Sequence, residues 1–206
     1  MMQRTGAGLL FLSALCLGRQ AIQSAECGNL VDAQTDARRS KQGTTVVLKM
    51  HAEDDHTKDS HMCMSNYSFA VTRPDGSSIR QLITSVDNSY GRALKFWIDG
   101  FANAGQRVIA TIVDPTYTII DYDLRTGKIL ELDIAPSFLN SVDNACRDTV
   151  RVSGVSRGGY VVVSTGGPGC GPVKRWRVEP GLLVGGIQQR AKLEPLRDTA
   201  TIKAIE

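Results

Sequence analysis

RVIATIVDPTYTIIDYDLRTGKILELD, residues 107–133, is the stretch that decides the fold class of this chain. Its β-branched and aromatic residues fall into three short runs, at 107–113, 117–123 and 128–133, with the period of two that is typical of strands. The tripeptide Arg125-Thr126-Gly127 separates the last two runs, and glycine in so short a link favours a tight reversal. The stretch therefore predicts adjacent antiparallel strands.

The same pattern extends outward in both directions, with turn residues at short and regular intervals. Pro74-Asp75-Gly76 and Arg157-Gly158-Gly159 supply residues that suit tight turns. Only residues 134–142 favour a short helix. Further strands are predicted at 44–50, 66–73, 78–85, 94–101, 149–155, 160–165 and 174–179. The predicted fold is all-β and antiparallel.

The first 25 residues are typical of a secretory signal peptide. Arg4 supplies the positive charge, and residues 6–18 form an apolar run too short to cross a bilayer as a helix. Cleavage after Gly18 and cleavage after Ala25 both remain open, and an N-terminal membrane anchor is the alternative. No later stretch is apolar enough to span a membrane. We therefore expect a secreted or periplasmic protein without stable membrane insertion after signal cleavage.

The remaining chain divides into an N-terminal extension at 26–43, a β domain at 44–186 and a polar C-terminal tail at 187–206. Residues 28–43 and 187–206 are polar and lack periodicity, which predicts loose order at both ends.

Removal of the signal would leave a nearly neutral chain. Residues 1–25 contain Arg4 and Arg19 and no acidic residue, so 22 of the 24 basic side chains remain beside 21 acidic ones. A nucleic-acid binder needs a concentrated basic face. We therefore expect no nucleic-acid partner.

The five cysteines become four once Cys16 is assigned to the signal. Four cysteines in an exported chain are typical of two disulfides, for which three pairings are possible. None of the four lies in a Cys-x-x-Cys pair, so a redox site or a structural zinc site is poorly supported. The four are Cys27, Cys63, Cys146 and Cys170.

Two predicted hairpins align with each other without a gap. When residues 97–111 are placed over 151–165, Gly100 meets Gly154 and Gly105 meets Gly159. An earlier pair of segments aligns at a spacing of 50 residues, so the pattern predicts a repeat of 50 to 54 residues. The alternative is that two unrelated hairpins look alike. The predicted units are 44–92, 93–143 and 144–186.

Residues 122–129, YDLRTGKI, resemble the turn between the third and fourth strands of a β-propeller blade. A four-strand unit of about 50 residues is similar to a blade as well, and the resemblance covers about 44–186. Three units are too few to close a ring, since propellers usually have four or more blades. The resemblance therefore implies blade-like antiparallel sheets in an open array or a sandwich, and a closed propeller would need several chains.

The repeat alignment also favours one pairing of the cysteines. Cys63 lies four residues before Tyr67, and Cys170 lies four residues before Lys174, where equivalent strands begin. The other two cysteines lie upstream of the first strands of the same units. We therefore predict the disulfides Cys27–Cys63 and Cys146–Cys170.

All three histidines fall within a polar segment at 51–61, together with four carboxylates. Imidazole and carboxylate together suit a divalent transition metal such as zinc, copper or nickel. The spacing matches no helical zinc motif, and a solvated polar loop with turn-capping side chains is the simpler interpretation. The alternative of a pH-responsive contact stays open as well. The predicted metal ligands are His51, Asp54, Asp55, His56 and His61.

We find no catalytic constellation. A serine triad would need one of these histidines, and the chain has no Gly-x-Ser-x-Gly elbow. The glycine-rich segment 166–172 lacks the Gly-Lys-Ser/Thr ending of a phosphate loop. Carboxylates that flank strands could form a pair, but turn capping is their simpler use. They are Asp99, Asp114, Asp121 and Asp123.

The aromatic residues on or beside the strands are predicted to be core rather than a platform for ligand stacking. They are Trp97, Phe101, Tyr117, Tyr122, Tyr160 and Trp176.

Taken together, the sequence features favour a non-catalytic secreted or periplasmic binding module for an unknown protein or small molecule. The alternatives are a metal-binding protein that uses loop 51–61 and, with least support, a hydrolase.

Overall fold

The computed structural model describes residues 35–55, 62–87, 95–114, 116–181, 183–184, 187–197 and 201–206. These residues form three antiparallel sheets, a two-stranded ribbon and two short helices. The prediction of an all-β antiparallel fold is confirmed. The signal prediction at 1–25 lies outside the described residues.

The first sheet is an antiparallel meander in which each strand pairs with the next. Its strands are β1 (Thr35–Arg39), β2 (Thr45–Asp55), β3 (Met62–Thr72) and β4 (Ser78–Asp87). Gly76 has a positive φ of 83° in the turn between β3 and β4, which a glycine adopts without strain.

The second sheet is also a four-stranded meander and contains the stretch 107–133. Its strands are β5 (Lys95–Ala102), β6 (Arg107–Asp114), β7 (Thr116–Asp123) and β8 (Ile129–Ile134). The Asp123 carboxylate accepts the backbone N–H groups of Arg125 and Thr126, both at 2.9 Å, and so holds the turn between β7 and β8.

Two short helices connect the second sheet to the third. They are α1 (Pro136–Ser141), within the predicted helix at 134–142, and a 3-10 helix (Asn144–Thr149). The Asp143 carboxylate caps the 3-10 helix by accepting the Ala145 N–H at 3.0 Å.

The third sheet has the strand order β14–β11–β10–β9–β15, and the ribbon pairs β12 with β13. The strands are β9 (Arg151–Ser156), β10 (Val161–Thr165), β11 (Lys174–Glu179), β12 (Leu183–Val184), β13 (Ile187–Gln188), β14 (Lys192–Pro195) and β15 (Ile202–Lys203).

The second sheet lies between the other two, because its strands bury side chains on both faces. Val108 and Ile120 belong to a core shared with the first sheet, whereas Ile109 and Ile119 belong to a core shared with the third. Neighbours along β6 and β7 thus point to different cores, as the alternation of a strand requires. Burial on both faces explains why residues 108–113 read as an almost continuous apolar run.

The expectation of loose order at both ends is wrong for the described residues there. Strand β1 pairs with β2 over all five of its residues. Strands β14 and β15 occupy the two edges of the third sheet. Polar edge strands lack a clear apolar alternation, so the period-two signal missed them.

No helix among the described residues combines the length and the apolar character needed to cross a membrane.

Candidate functional site

A cleft of about 490 Å³ opens at one end of the second sheet, beside the connection to the third. Its volume lies in the range of about 300–1,000 Å³ that is usual for small-molecule sites. The second sheet contributes Lys95, Trp97, Val113, Thr116, Tyr117 and Ile134. The connecting helices and the start of β9 contribute Pro136, Leu139, Asn140, Arg147, Val150 and Arg151.

Two aromatic rings form the apolar part of this cleft. Trp97 and Tyr117 meet edge to face, with ring centroids 6.5 Å apart and an interplanar angle of 75°. The Trp97 indole N–H donates to Asp99 Oδ1 at 2.8 Å, and the Tyr117 hydroxyl donates to the Val150 carbonyl at 3.2 Å. Because both donors are already used inside the protein, the rings offer mainly apolar surface to a ligand.

Asp99 fixes Trp97 without lining the cleft itself. It occupies a register shift between β5 and β6 and also accepts the Thr111 hydroxyl at 2.7 Å. Burial raises the pKa of this carboxyl to about 6, against the opposing effect of the hydrogen bonds from Thr111 and Trp97. Burial also raises the pKa of the Tyr117 hydroxyl, and the nearby Asp99 charge adds to that effect.

Three cations stand at the rim of the cleft. Lys95, Arg147 and Arg151 are exposed, and the Arg147 guanidinium donates to Asn140 Oδ1 at 2.9 Å. No acidic side chain is among the described residues that line the cleft. Cations around an apolar cavity raise the local concentration of anions. The arrangement therefore combines apolar burial with attraction for negative charge.

Of the five predicted metal ligands, only His51 has a side chain that the structure describes, so the metal site stays a prediction. His51 is half-buried in β2 and pairs in register with Asn66, while His56 and His61 lie outside the described residues. The ladder places Asp54 opposite Cys63 and Asp55 opposite Met62. Among the described residues, no group of three or more His, Cys, Asp or Glu side chains could hold a metal.

The expectation of a polar loop over 51–61 is wrong for its first half. Strand β2 continues to Asp55 and pairs with β3 along its whole length. Backbone pairing with β3 extends the hairpin through residues whose polar side chains disfavour a strand on propensity alone.

One of the two predicted disulfides is described. Cys146 is bonded to Cys170 with a Cα–Cα distance of 5.7 Å, which ties the 3-10 helix to the loop before β11. Cys27 lies outside the described residues, so the Cys27–Cys63 bond stays a prediction.

The carboxylates considered as a catalytic pair have separate partners. Asp121 forms a nearly buried ion pair with Arg107, whose guanidinium also donates to the Gly159 carbonyl at 2.8 Å. Asp123 caps its turn, and Asp99 holds Trp97. These contacts give structural roles to all three.

The aromatic residues predicted to be core divide among the core, the cleft and the surface. The prediction is wrong for Tyr160, which is 37% exposed. Phe101 and Tyr122 are buried in the core, as predicted, whereas Trp97 and Tyr117 also line the cleft. Local sequence patterns do not indicate this cleft, because its cations come from three separate segments. The spacing of Lys95, Trp97 and Asp99 on alternate positions of one strand was the one available signal.

Comparisons with protein-family models, with curated proteins and with solved structures each gave no match.

Proposed function

We propose that this chain is a non-catalytic binding module whose cleft takes an organic anion with an apolar or aromatic body. The observation that carries the proposal is the aromatic pair Trp97–Tyr117, with its donors already used, beneath a rim of three cations. The rings supply apolar contact area, and the cations supply orientation and attraction.

Two fluorescent probes that differ mainly in charge test this proposal. 1-Anilinonaphthalene-8-sulfonate carries one negative charge, whereas N-phenyl-1-naphthylamine has the same rings and is neutral. We expect the sulfonate to bind more tightly, and added salt to weaken its binding alone, because salt screens exposed charges. Titrations followed by probe fluorescence measure both dissociation constants.

The matched variants are Arg151→Gln at the rim and Lys128→Gln in the exposed turn between β7 and β8. Arg151→Gln should weaken sulfonate binding about two- to five-fold, the worth of one exposed charge contact, and leave the neutral probe unchanged. Lys128→Gln should change neither. Equal binding of the two probes, or equal effects of the two substitutions, would contradict the proposal.

We also propose that the module acts outside the reducing cytosol, in a secreted or periplasmic location. The Cys146–Cys170 bond supports this, because structural disulfides persist mainly in oxidising compartments. An intact mass of the exported protein, with a free-thiol count, tests it. A retained N-terminus or four free thiols would contradict it.

The blade-like interpretation is part of the same proposal. The first two sheets are four-stranded meanders that pack face to face, and the third sheet contains a similar meander of β9, β10, β11 and β14. Such stacking supports the resemblance to propeller blades.

A further inference from the structure

The last described segment, residues 201–206, lies along the edges of two different sheets. Ile202 and Lys203 pair with Ser156 and Val155 at the edge of the third sheet. Farther along, the Glu206 N–H donates to the Phe101 carbonyl at 2.9 Å, and the Phe101 N–H donates to the Glu206 carbonyl at 3.1 Å. One extended segment therefore satisfies backbone groups of both β9 and β5.

Two glycines make room for the backbone of this segment. Gly154 in β9 and Gly100 in β5 have the same φ of 155°. A Cβ atom at Gly154 would collide with the carbonyl oxygen of Lys203, and one at Gly100 would collide with that of Glu206. Close approach of a second backbone is a common reason for glycine inside a strand.

The side chains of residues 201–206 also follow a pattern that fits the positions of the two glycines. Ile202 and Ile205 are half-buried, whereas the other four residues of the segment are exposed. Ile202 lies against Gly154, and Ile205 lies against Gly100 and packs on the core between the second and third sheets. Ile202 directly precedes Lys203, whose carbonyl lies over Gly154, and Ile205 directly precedes Glu206, whose carbonyl lies over Gly100. The two isoleucines are therefore three residues apart.

We propose that the groove along the edges of β9 and β5 is a binding site for an extended Ile-x-x-Ile peptide. Residues 201–206 fill this site in cis, and the same sequence supplied in trans can replace them. Pairing with a sheet edge gives affinity through backbone hydrogen bonds, while pockets for alternate side chains give specificity. The site is separate from the cleft and does not depend on the proposed function.

The attachment of the segment favours exchange. It consists of a few backbone bonds at sheet edges, two half-buried side chains and an exposed contact of 3.4 Å between Lys41 Nζ and Glu206 Oε1. Segments with few buried contacts open locally far more often than the core does.

The test uses the full chain with the segment undocked by Ile202→Asp and Ile205→Asp. A fluorescein-labelled peptide, Thr-Ile-Lys-Ala-Ile-Glu, is titrated and followed by anisotropy. We expect it to bind the double variant at least about tenfold more tightly than the unsubstituted chain, where the tethered segment competes at an effective concentration near millimolar. A control peptide with Asp at both isoleucine positions should not bind.

Two further measurements locate the binding. Gly154→Val in the double variant should abolish peptide binding, because the valine side chain would occupy the space that the Lys203 carbonyl fills. Hydrogen exchange of the Phe101 amide should be at least about tenfold faster in the double variant and slow again when the peptide is added.

A folded double variant, judged by its near-ultraviolet circular dichroism, that fails to bind the peptide would overturn the proposal. If the double variant does not fold, the single variant Ile202→Asp takes its place with the same expectations. If that variant is also unfolded, residues 201–206 are part of the core and the proposal is wrong.

Discussion

At the residue scale, Asp99 shows how a carboxylate in a strand serves an aromatic neighbour. Its two oxygens accept the Trp97 indole and the Thr111 hydroxyl, and the cost of its burial appears as a pKa raised to about 6. An aspartate two residues from a tryptophan in a strand suggests a hydrogen bond between the two side chains. The extent to which the carboxylate is desolvated depends on the packing of the sheet.

Asp99 should make the chain more stable as the pH falls from 7 to 5. Its folded pKa of about 6 lies above the ordinary value of 3.8, so the charged form disfavours the folded state above pH 6, and protonation relieves that cost. Asp99→Asn should remove this part of the pH dependence, about 1 kcal/mol between pH 7 and pH 5. Urea unfolding at pH 5 and pH 7 measures it.

Asp75→Asn is the matched control for this comparison. The Ser77 hydroxyl and backbone N–H lower the pKa of the Asp75 carboxyl, so it stays charged throughout this range. Its substitution should leave the difference in unfolding free energy between pH 5 and pH 7 unchanged. If the two variants behave alike, Asp99 is not the group responsible.

At the element scale, short loops and one crosslink position the cleft. Helix α1, the 3-10 helix and the start of β9 form the wall that carries Arg147 and Arg151. The Cys146–Cys170 bond joins this wall to the loop before β11.

Most strands and the short helix could be predicted from alternation and turn residues. The edge strands β1, β14 and β15 could not, because their pairing rather than their side chains makes them strands.

Removal of the Cys146–Cys170 bond should destabilise the chain and loosen the cleft. The bond spans 24 residues, for which the chain-entropy model gives about 3 kcal/mol. Cys146→Ser combined with Cys170→Ser should lower the free energy of unfolding by that order and weaken binding of the sulfonate probe. Addition of a reductant to the unsubstituted chain should have the same effect, and unchanged stability in both experiments would contradict the prediction.

At the scale of the whole molecule, the second sheet is shared by two cores. Residues that are adjacent in sequence serve different interfaces, as Ile119 and Ile120 do. Both are fully buried. The free energy of each interface therefore depends on the same four strands, and we expect the described sheets to unfold together.

Ile119→Ala and Ile120→Ala should each lower the free energy of unfolding by about 2–5 kcal/mol, the usual cost of truncating a buried aliphatic side chain. Each variant should still unfold in one transition by tryptophan fluorescence and by far-ultraviolet circular dichroism. Leu82→Ala, at a position 57% exposed on β4, should change stability by no more than about 0.5 kcal/mol. Two separate transitions would show that the cores are independent.

The sequence by itself determined the all-β class and most strand positions, because alternation and turn residues are local properties of a chain. Only the tertiary structure decided which strands share a core, where Lys95, Arg147 and Arg151 meet, and how residues 201–206 lie across two sheets. All three features depend on contacts between residues that are far apart in sequence, and local sequence patterns do not indicate such contacts.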